Sequence, residues 1–298
     1  MSQLYLHSMA NFDPIIGKAL DIVGARRIVE VGAEGAIFSS WLAGYAQAKG
    51  GDVRCVDPAP SDALRDLGHR EAGVTLLEEY SPPALDQLQD ADTYFLDGDH
   101  NWHIVSGELR AIRDRLLDAD QPAIAILHDV HWPCARRDMY YEPDRIPADE
   151  RQPYTYDSGI SPGNEGLDPH GFRGAGVFAV AEVEGGPRNG VLTAVEDFVE
   201  QTPGLVHRIV PCVFGAGFLY AESAPWAEEL DAYLAPYDRS PLLERLEANR
   251  IALYLQVLRL QDEVERRIGL QTHVISGLRR RVAELEGQVD PDPVAGQG

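Results

Sequence analysis

Two apolar runs of the chain, at 93–96 and 123–127, end in side chains that titrate and bind cations. Those side chains are Asp97, Asp99 and His100 after the first run, and His128 and Asp129 after the second. An imidazole with a pKa near neutrality is suited to general-base work, and carboxylates are hard ligands for a divalent cation. The two segments therefore predict acid–base or metal-assisted chemistry, provided that the fold brings them together.

The two runs have the length and composition of buried strands. Each is a short, continuous apolar segment bounded by polar residues, which is typical of a strand covered on both faces in a parallel sheet. Because the carboxyl ends of parallel strands meet at one edge, where ligands bind, we expect both sets of polar side chains at a single crevice. A structural alternative stays open, in which Asp97 and His100 only cap the helix that follows.

The rest of the first 130 residues alternates between strand and helix patterns. A helical spacing of apolar residues at 11–23 precedes a strand at 27–31, and further strands are predicted at 52–57 and 74–77. This alternation predicts an α/β fold, a doubly wound and mostly parallel sheet with helices on both faces. The segments 206–213 and 217–220 are predicted to close the sheet as an antiparallel pair.

The loop after the first predicted strand suggests a cofactor. Glu30, Gly32 and Ala33 lie at this strand end, and Asp57 ends the next strand. Such a half-fold binds either a dinucleotide or S-adenosylmethionine. A pyrophosphate needs a second glycine where this chain has Glu34, whose carboxylate would repel it, whereas acids tolerate a sulfonium and an ammonium. The loop therefore favours S-adenosylmethionine, with a simple tight turn as the alternative.

Composition restricts the partners. The chain has 298 residues with 26 basic and 48 acidic side chains, a net charge of −22. Phosphate backbones and anionic lipid surfaces would be repelled, so we expect no nucleic-acid and no membrane partner. Three separated cysteines and the lack of a long apolar run are typical of a soluble, cytoplasmic protein.

Four motifs in order carry a family resemblance: 28–33, 56–58, 95–100 and 127–130. Together, over roughly residues 10–222, they resemble class I S-adenosylmethionine-dependent methyltransferases. More narrowly, they are similar to the bacterial branch that includes metal-dependent sugar O-methyltransferases of macrolide pathways. The resemblance implies a Rossmann-like fold and a sugar or glycosylated metabolite as the small-molecule acceptor.

The resemblance also implies roles for particular residues. Asp97 would ligate magnesium or manganese beside the cofactor, and His100 would be the general base on the acceptor hydroxyl. The family's acidic metal-binding pair falls on His128 and Asp129, so one acid is replaced by an imidazole, which suits Mn, Fe or Zn better than Mg. Asp99 is a further candidate ligand. Glu30, Gly32, Ala33 and Asp57 would contact S-adenosylmethionine together with Asp97.

The segment 131–176 interrupts the regular alternation and is rich in proline, tyrosine and glycine. Long excursions of this kind within a compact domain often act as lids or binding loops. The candidate acceptor contacts in it are Trp132, Arg136, Arg137, Tyr140 and Tyr141. Aromatic rings would stack on sugar or aglycone faces, and the arginines would hold a diphosphate or carboxylate. Internal ion pairing of the arginines is the alternative.

The segment 240–289 is a separate unit after a catalytic domain at 1–239. Apolar residues recur along it, and from Leu278 to Val289 they keep strict three- and four-residue intervals flanked by Arg and Glu, which predicts a coiled coil or a long exposed helix. Gln271 on the apolar stripe and a slip near Ile268 interrupt this register. We expect a homo-oligomer through this helix, a parallel or an antiparallel homodimer; docking onto another protein and packing back onto the domain are the alternatives. The residues 290–298 are predicted to be disordered. A non-catalytic scaffold with a degenerate methyltransferase domain is the rival function, and the Glu34 position disfavours a nicotinamide oxidoreductase.

Overall fold

The computed structural model describes residues 6–33 and 35–286. Glu34 and the predicted disordered tail at 290–298 lie outside the described residues. The strands are β1 (Arg27–Val31), β2 (Asp52–Val56), β3 (Val74–Leu77), β4 (Thr93–Leu96), β5 (Ile124–His128), β6 (Met139–Tyr140), β7 (Tyr154–Thr155), β8 (Ala179–Ala181), β9 (Leu205–Val210) and β10 (Ala216–Ala221). The helices are α1 (Asp13–Val23), α2 (Ile37–Lys49), α3 (Asp62–Arg70), α4 (Ser81–Leu85), α5 (Trp102–Leu116), α6 (Val191–Gln201), α7 (Ala227–Leu234) and α8 (Pro241–Glu286).

Seven strands form the main sheet, in the order β3-β2-β1-β4-β5-β10-β9. The strands β1 to β5 pair in parallel, and β10 is antiparallel to both β5 and β9. The order reverses on either side of β1, as it does in doubly wound sheets. The predicted fold class is therefore confirmed, including the antiparallel closing pair.

The sheet is covered on both faces, which is why its central strands are largely apolar. One buried cluster joins the sheet to α4, α5 and α6. The other joins it to α1, α2, α3 and α7. All four residues of β4 and all five of β5 are buried. A strand with two covered faces cannot alternate polar and apolar residues, so continuous apolar runs identified β4 and β5 correctly.

The register of the parallel strands brings the candidate residues to one edge. Val31 at the end of β1 lies beside Val56 of β2 and Leu96 of β4, and Leu96 lies beside Leu127 of β5. The chain crosses closely over this edge at Gly32, which has φ +82° and where a Cβ would lie 2.2 Å from the Asp97 carbonyl oxygen. Only glycine fits that approach.

The segment 131–176 contains regular structure of its own. β6 and β7 each pair with β8 in a small antiparallel sheet. The alternating pattern at 176–183 predicts a strand; the structure has a shorter one, at Ala179–Ala181, in this second sheet. The excursion covers the carboxyl edge of the main sheet, since Met139 of β6 and the neighbouring Tyr141 and Glu142 line the cavity described below.

Three helical features differ from or add to the sequence expectations. A serine before two prolines, as at Ser81-Pro82-Pro83, predicts an N-cap, but Ser81 is the first residue of α4 and its hydroxyl donates to Glu108. α7 was not predicted. α8 is one continuous helix of 46 residues. Among the described residues, no helix combines the length and apolar character that a membrane span requires.

Candidate active site

A cavity of about 710 Å³ lies at the carboxyl edge of the main sheet. Glu30, Gly32, Ala33 and Asp57 line it on the side of β1 and β2. Asp97, Asp99, His100, His128 and Asp129 line its centre, where β4 and β5 end. His7, Tyr141, Phe172, Phe178 and Phe214 line the side covered by the excursion and the strand β10. The two polar segments found in the sequence therefore meet in a single cavity.

The centre of the cavity is a compact group of two carboxylates and two imidazoles. His100 Nε2 lies 2.8 Å from Asp129 Oδ2 and 3.5 Å from Asp97 Oδ1. His128 Nδ1 lies 3.1 Å from the same Asp97 oxygen and 3.2 Å from the same Asp129 oxygen. Each histidine thus bridges both carboxylates.

The two histidines differ in how their rings are held. His128 Nε2 lies 2.8 Å from the carbonyl oxygen of Val213, in the turn between β9 and β10. A carbonyl can only accept, so Nε2 carries the proton. In the neutral ring Nδ1 would then present a lone pair to Asp97 and Asp129, which is the tautomer of a metal-binding histidine whose other ring nitrogen donates to a carbonyl.

The two carboxyls and two imidazoles of the group shift one another's pKa values. Burial disfavours the charged imidazoles, but the negative charges of Asp97 and Asp129 outweigh it and hold the pKa values of His100 and His128 well above their usual range. Burial likewise opposes ionisation of the two carboxyls, yet the neighbouring histidines lower the pKa of both. Positive charge is therefore strongly favoured at the centre of the cavity.

A metal ion is one way to supply this charge. Ligand atoms of Asp97, His100 and Asp129 all lie within 4.8 Å of one another. Asp129 has φ +59°, in the left-handed region that is unfavourable for most side chains, so its backbone is strained where its carboxylate enters the cluster. Asp99 lies beside the group, and its Oδ1 accepts the backbone N–H of His100 at 3.0 Å. Burial raises the pKa of the Asp99 carboxyl.

The β1–β2 side of the cavity holds the residues predicted to contact the cofactor. The Glu30 carboxylate is buried and accepts a hydrogen bond from the Cys55 thiol at 3.4 Å. Burial raises the pKa of Glu30 to about 7. Asp57 accepts the backbone N–H of Ala59 at 2.8 Å, which orients its carboxylate at the start of the loop.

Acidic side chains outnumber basic ones in the lining, even when the imidazoles of His100 and His128 are counted as cations. Six carboxylates contribute to it, from Glu30, Asp57, Asp97, Asp99, Asp129 and Glu142. Within the described chain, the guanidinium of Arg145 is the one arginine or lysine group among them, and it stacks on the Tyr80 ring. A cavity of this composition favours a cationic ligand and disfavours a polyphosphate.

The third side of the cavity is aromatic. The His7 ring stacks on Phe214, with centroids 4.6 Å apart, and meets Phe172 edge to face. Burial lowers the pKa of His7 to about 4, so its imidazole is neutral. The Tyr141 ring approaches His100 at 5.9 Å between centroids. This wall offers apolar ring faces next to the polar centre.

Of the five residues of the excursion predicted to contact the acceptor, Tyr141 lines the cavity. The other four lie outside its lining. Trp132 supports the wall from behind through Phe172 and Phe214. Tyr140 is fully buried and donates to Asp138 at 2.7 Å. Aromatic residues in a loop can either face a ligand or fill the core beneath it, and sequence spacing did not separate the two.

The two arginines are used internally. Arg137 is fully buried and donates to the backbone carbonyls of Ala181, Glu165 and Gly166. Arg136 forms a paired contact with the Glu196 carboxylate, at 2.6 and 2.8 Å. Neither guanidinium lines the cavity, so the predicted role in holding a diphosphate or carboxylate is not supported.

Several lining residues were not found from the sequence. His7 comes from the N-terminal segment before α1, and Phe214 from the turn between β9 and β10. Phe172 lies in the excursion and Phe178 just after it, and no sequence pattern distinguishes either as a lining residue. The aromatic wall forms because three segments that are far apart in sequence converge. No local periodicity in the sequence indicates such a convergence.

The sequence matches no protein-family model and no curated protein. Among solved structures, the chain is similar to an SAH-bound methyltransferase from Podospora anserina, with 16% identity, 72% of this chain and 79% of the other covered, and a TM-score of 0.45. An O-methyltransferase from Bacillus cereus in complex with SAH has 15% identity, with 72% and 82% covered and a TM-score of 0.42. The O-methyltransferase TomG from Streptomyces achromogenes, involved in tomaymycin synthesis and in complex with SAM, has 14% identity, with 72% and 82% covered and a TM-score of 0.41.

Proposed function

We propose that this protein is an S-adenosylmethionine-dependent O-methyltransferase, assisted by a divalent metal and acting on a hydroxyl of a sugar or glycosylated metabolite. The observation that carries the proposal is the convergence of three sets of residues in one cavity. Cofactor-binding acids lie on one side, a carboxylate–imidazole cluster in the centre, and an aromatic wall on the other side. Each set suits one component of such a reaction.

The β1–β2 side suits the methyl donor. S-adenosylmethionine, when bound, supplies a methyl group on a cationic sulfonium. Asp57 ends β2, where a carboxylate can accept hydrogen bonds from ribose hydroxyls, and Glu30 faces the part of the cavity that would hold the ammonium of the methionine moiety. Gly32 leaves bare backbone beside this path. The excess of carboxylates in the lining would repel the pyrophosphate of a nicotinamide dinucleotide.

The central cluster suits a divalent cation. Asp97, His128 and Asp129 would hold it, since His128 Nδ1 lies 3.1 Å from Asp97 and 3.2 Å from Asp129 while its Nε2 is engaged by the Val213 carbonyl. His100 also has a ligand atom within 4.8 Å of those of Asp97 and Asp129, and we assign it to the base instead. A cation there would lower the pKa of a nearby acceptor hydroxyl. The imidazole ligand favours manganese or another transition metal over magnesium.

His100 suits the general base. Its Nε2 lies 2.8 Å from Asp129, a partner that orients the ring and leaves Nδ1 as the basic atom. The raised pKa of His100 comes from the negative charge of Asp97 and Asp129, which opposes the effect of burial. A cation held by Asp97 and Asp129 would offset that negative charge and so oppose the rise in the pKa of His100, whose ring would take the proton of the acceptor hydroxyl.

The aromatic wall suits a ring-bearing acceptor. Sugar rings present C–H faces that pack on aromatic side chains, and a glycosylated metabolite adds an apolar aglycone. Phe172, Phe178 and Phe214 provide such surfaces in the lining of the same cavity, and the Tyr141 ring lies 5.9 Å from that of His100.

The experiment that tests the proposal is calorimetric titration of chelator-treated protein. S-adenosylmethionine and NAD are each added with and without Mn²⁺ or Mg²⁺. We expect S-adenosylmethionine alone to bind, and a separate Mn²⁺ signal that disappears in Asp97→Ala. Binding of NAD in place of S-adenosylmethionine would contradict the proposal. Binding of neither at millimolar concentration would favour a non-catalytic scaffold.

A further inference from the structure

The helix α8 presents two different faces along its length. Its first half packs onto the catalytic domain, where Ile251 and Leu255 are only 3% and 6% exposed. The Glu247 carboxylate in this half accepts the backbone N–H groups of Val213 and Phe214, both at 2.9 Å. The docked face therefore supports the same turn that holds His128 and the aromatic wall.

The second face is apolar and exposed. Residues at three- and four-residue intervals along it are 48% to 65% exposed, and we call them the seam: Leu253, Val257, Leu260, Val264, Ile268, Ile275, Leu278, Val282 and Leu285. Monomeric proteins rarely leave a continuous apolar patch of this extent in water. The stretch of helix from Leu253 to Leu285 has 33 residues, so at 1.5 Å per residue the seam is about 50 Å long. No described part of the chain covers this face.

Docking onto the domain does not use the seam. With a turn of about 100° per residue, the seam points roughly 130° away from the centre of the docked face. The domain therefore leaves the seam accessible, and a partner can occupy it without displacing Ile251 or Glu247. Beyond residue 262 the helix extends with both faces exposed, so packing back onto the domain accounts only for its first half.

The residue types along the seam indicate the number of strands. In heptad notation the a positions are valine or isoleucine at Val257, Ile275 and Val282, and the d positions are leucine at Leu253, Leu260, Leu278 and Leu285. In a parallel coiled coil, branched residues at a with leucine at d favour two strands. The intervals from Leu260 to Val264 and from Val264 to Ile268 are both four residues long. Two successive intervals of four form a stutter, which locally unwinds a coiled coil without interrupting it.

We propose that α8 forms a parallel coiled coil with a second copy of this chain. In register, each seam residue meets its own counterpart, so every apolar layer is matched. Gln271, the one polar residue at a d position between Leu260 and Leu285, then meets Gln271 of the second copy, and the two amides can hydrogen-bond. In an antiparallel pair, each a residue of one helix instead packs against a d residue of the other. The Gln271 amide would then face an apolar side chain at an a position. In the parallel pair both catalytic domains lie at the same end.

The oligomeric state of the full chain tests the partner. We expect sedimentation equilibrium at micromolar concentration to show a dimer. Leu278→Glu should raise the dissociation constant by about 100-fold or more, because it buries a charge in the seam. Ala283→Glu, with the same charge on an exposed face away from the seam, should leave the dimer intact. A monomeric wild-type chain, or a dimer that Leu278→Glu does not weaken, would overturn the proposal.

Disulfide cross-linking tests the orientation. In a parallel pair the two copies of residue 278 face each other, so Leu278→Cys should give a covalent dimer on mild oxidation, whereas Ser276→Cys, on the outside of the helix, should not. The native Cys55, Cys134 and Cys212 are present in both variants and in the wild-type control. A dimer without cross-linking at position 278 would contradict the parallel arrangement. None of these measurements depends on methyl transfer, so the result is separable from the proposed function.

Discussion

The Nε2–H of His128 donates to the carbonyl oxygen of Val213 across 2.8 Å. This bond joins the end of β5 to the turn before β10, and it decides which ring nitrogen faces Asp97 and Asp129. Among the described contacts, no backbone carbonyl fixes the tautomer of His100. The two histidines of the cluster are therefore expected to have different roles.

Substitution of each histidine in turn separates these roles. His128→Gln should weaken Mn²⁺ binding by about 100-fold or more, because a ligand is lost. His100→Gln should change Mn²⁺ affinity by less than about threefold while lowering turnover by about 10²- to 10⁴-fold, the usual contribution of a general base. Mn²⁺ affinity is measured by calorimetry on chelator-treated protein. If His100→Gln lost the metal as completely as His128→Gln, His100 would have to be reassigned as a ligand.

Asp57 is expected to contribute to cofactor affinity. Removal of its carboxylate in Asp57→Ala should weaken S-adenosylmethionine binding by about 10- to 100-fold, since hydrogen bonds to a charged group contribute about 1.5–3 kcal/mol. Asp66→Ala provides the matched control, because Asp66 is exposed on α3 and does not line the cavity. Equal affinities of the two variants would exclude the ribose contact proposed for Asp57.

Glu108 is expected to make stability fall as the pH rises. Burial raises the pKa of its carboxyl to about 8 from an ordinary value of 4.5, so ionisation above pH 4.5 costs the folded state more than the unfolded state. Stability is therefore lost progressively between about pH 4.5 and 8. Glu108→Gln should remove this loss, and at pH 9 it should be more stable than the wild type by something of the order of 3 kcal/mol, with little difference at pH 4.5.

Urea unfolding at the two pH values measures this effect. Glu200→Gln, at an exposed position of α6, is the control and should change stability little at either pH. A Glu108→Gln variant whose stability relative to the wild type did not depend on pH would show that the folded state leaves this carboxyl with an ordinary pKa.

The adjacent residues Arg136 and Arg137 are expected to differ sharply in their effect on stability. Arg137→Ala should lower the free energy of unfolding by about 3 kcal/mol, because it leaves several buried carbonyls without donors. Arg136→Ala removes only a partly exposed ion pair with Glu196 and should cost less than about 1 kcal/mol. Chemical denaturation of both variants makes the comparison. Similar losses would show that burial of Arg137 contributes little.

The parallel part of the fold follows from the sequence with little ambiguity. β1 and β3 lie within the bounds that their apolar runs predicted, and the end of each central strand was marked by a change to polar residues. Strands covered on both faces must be apolar throughout, so the pattern is local and strong. The same reasoning placed Asp97, His100, His128 and Asp129 at one edge, because parallel strands share the direction of their carboxyl ends.

The details of the site depend on contacts between segments that are far apart in sequence. Nothing in the local pattern around His128 shows that Val213 will fix its tautomer, or that Glu247 of α8 will in turn hold the turn containing Val213. The placement of Arg137 is of the same kind: a guanidinium in a polar, proline-rich segment has the same sequence signature whether it faces a ligand or satisfies buried carbonyls.

The sequence by itself thus determined the order of strands and helices, the edge at which the polar residues collect, and the heptad pattern of the C-terminal helix. These features are encoded in periodicity and in strand ends, which short windows of residues contain. The tertiary structure decided which side chains of the excursion face the cavity, how each histidine is oriented, and which face of α8 is left exposed. Those outcomes depend on which distant carbonyl or ring each side chain meets, and that information exists only after the segments have packed together.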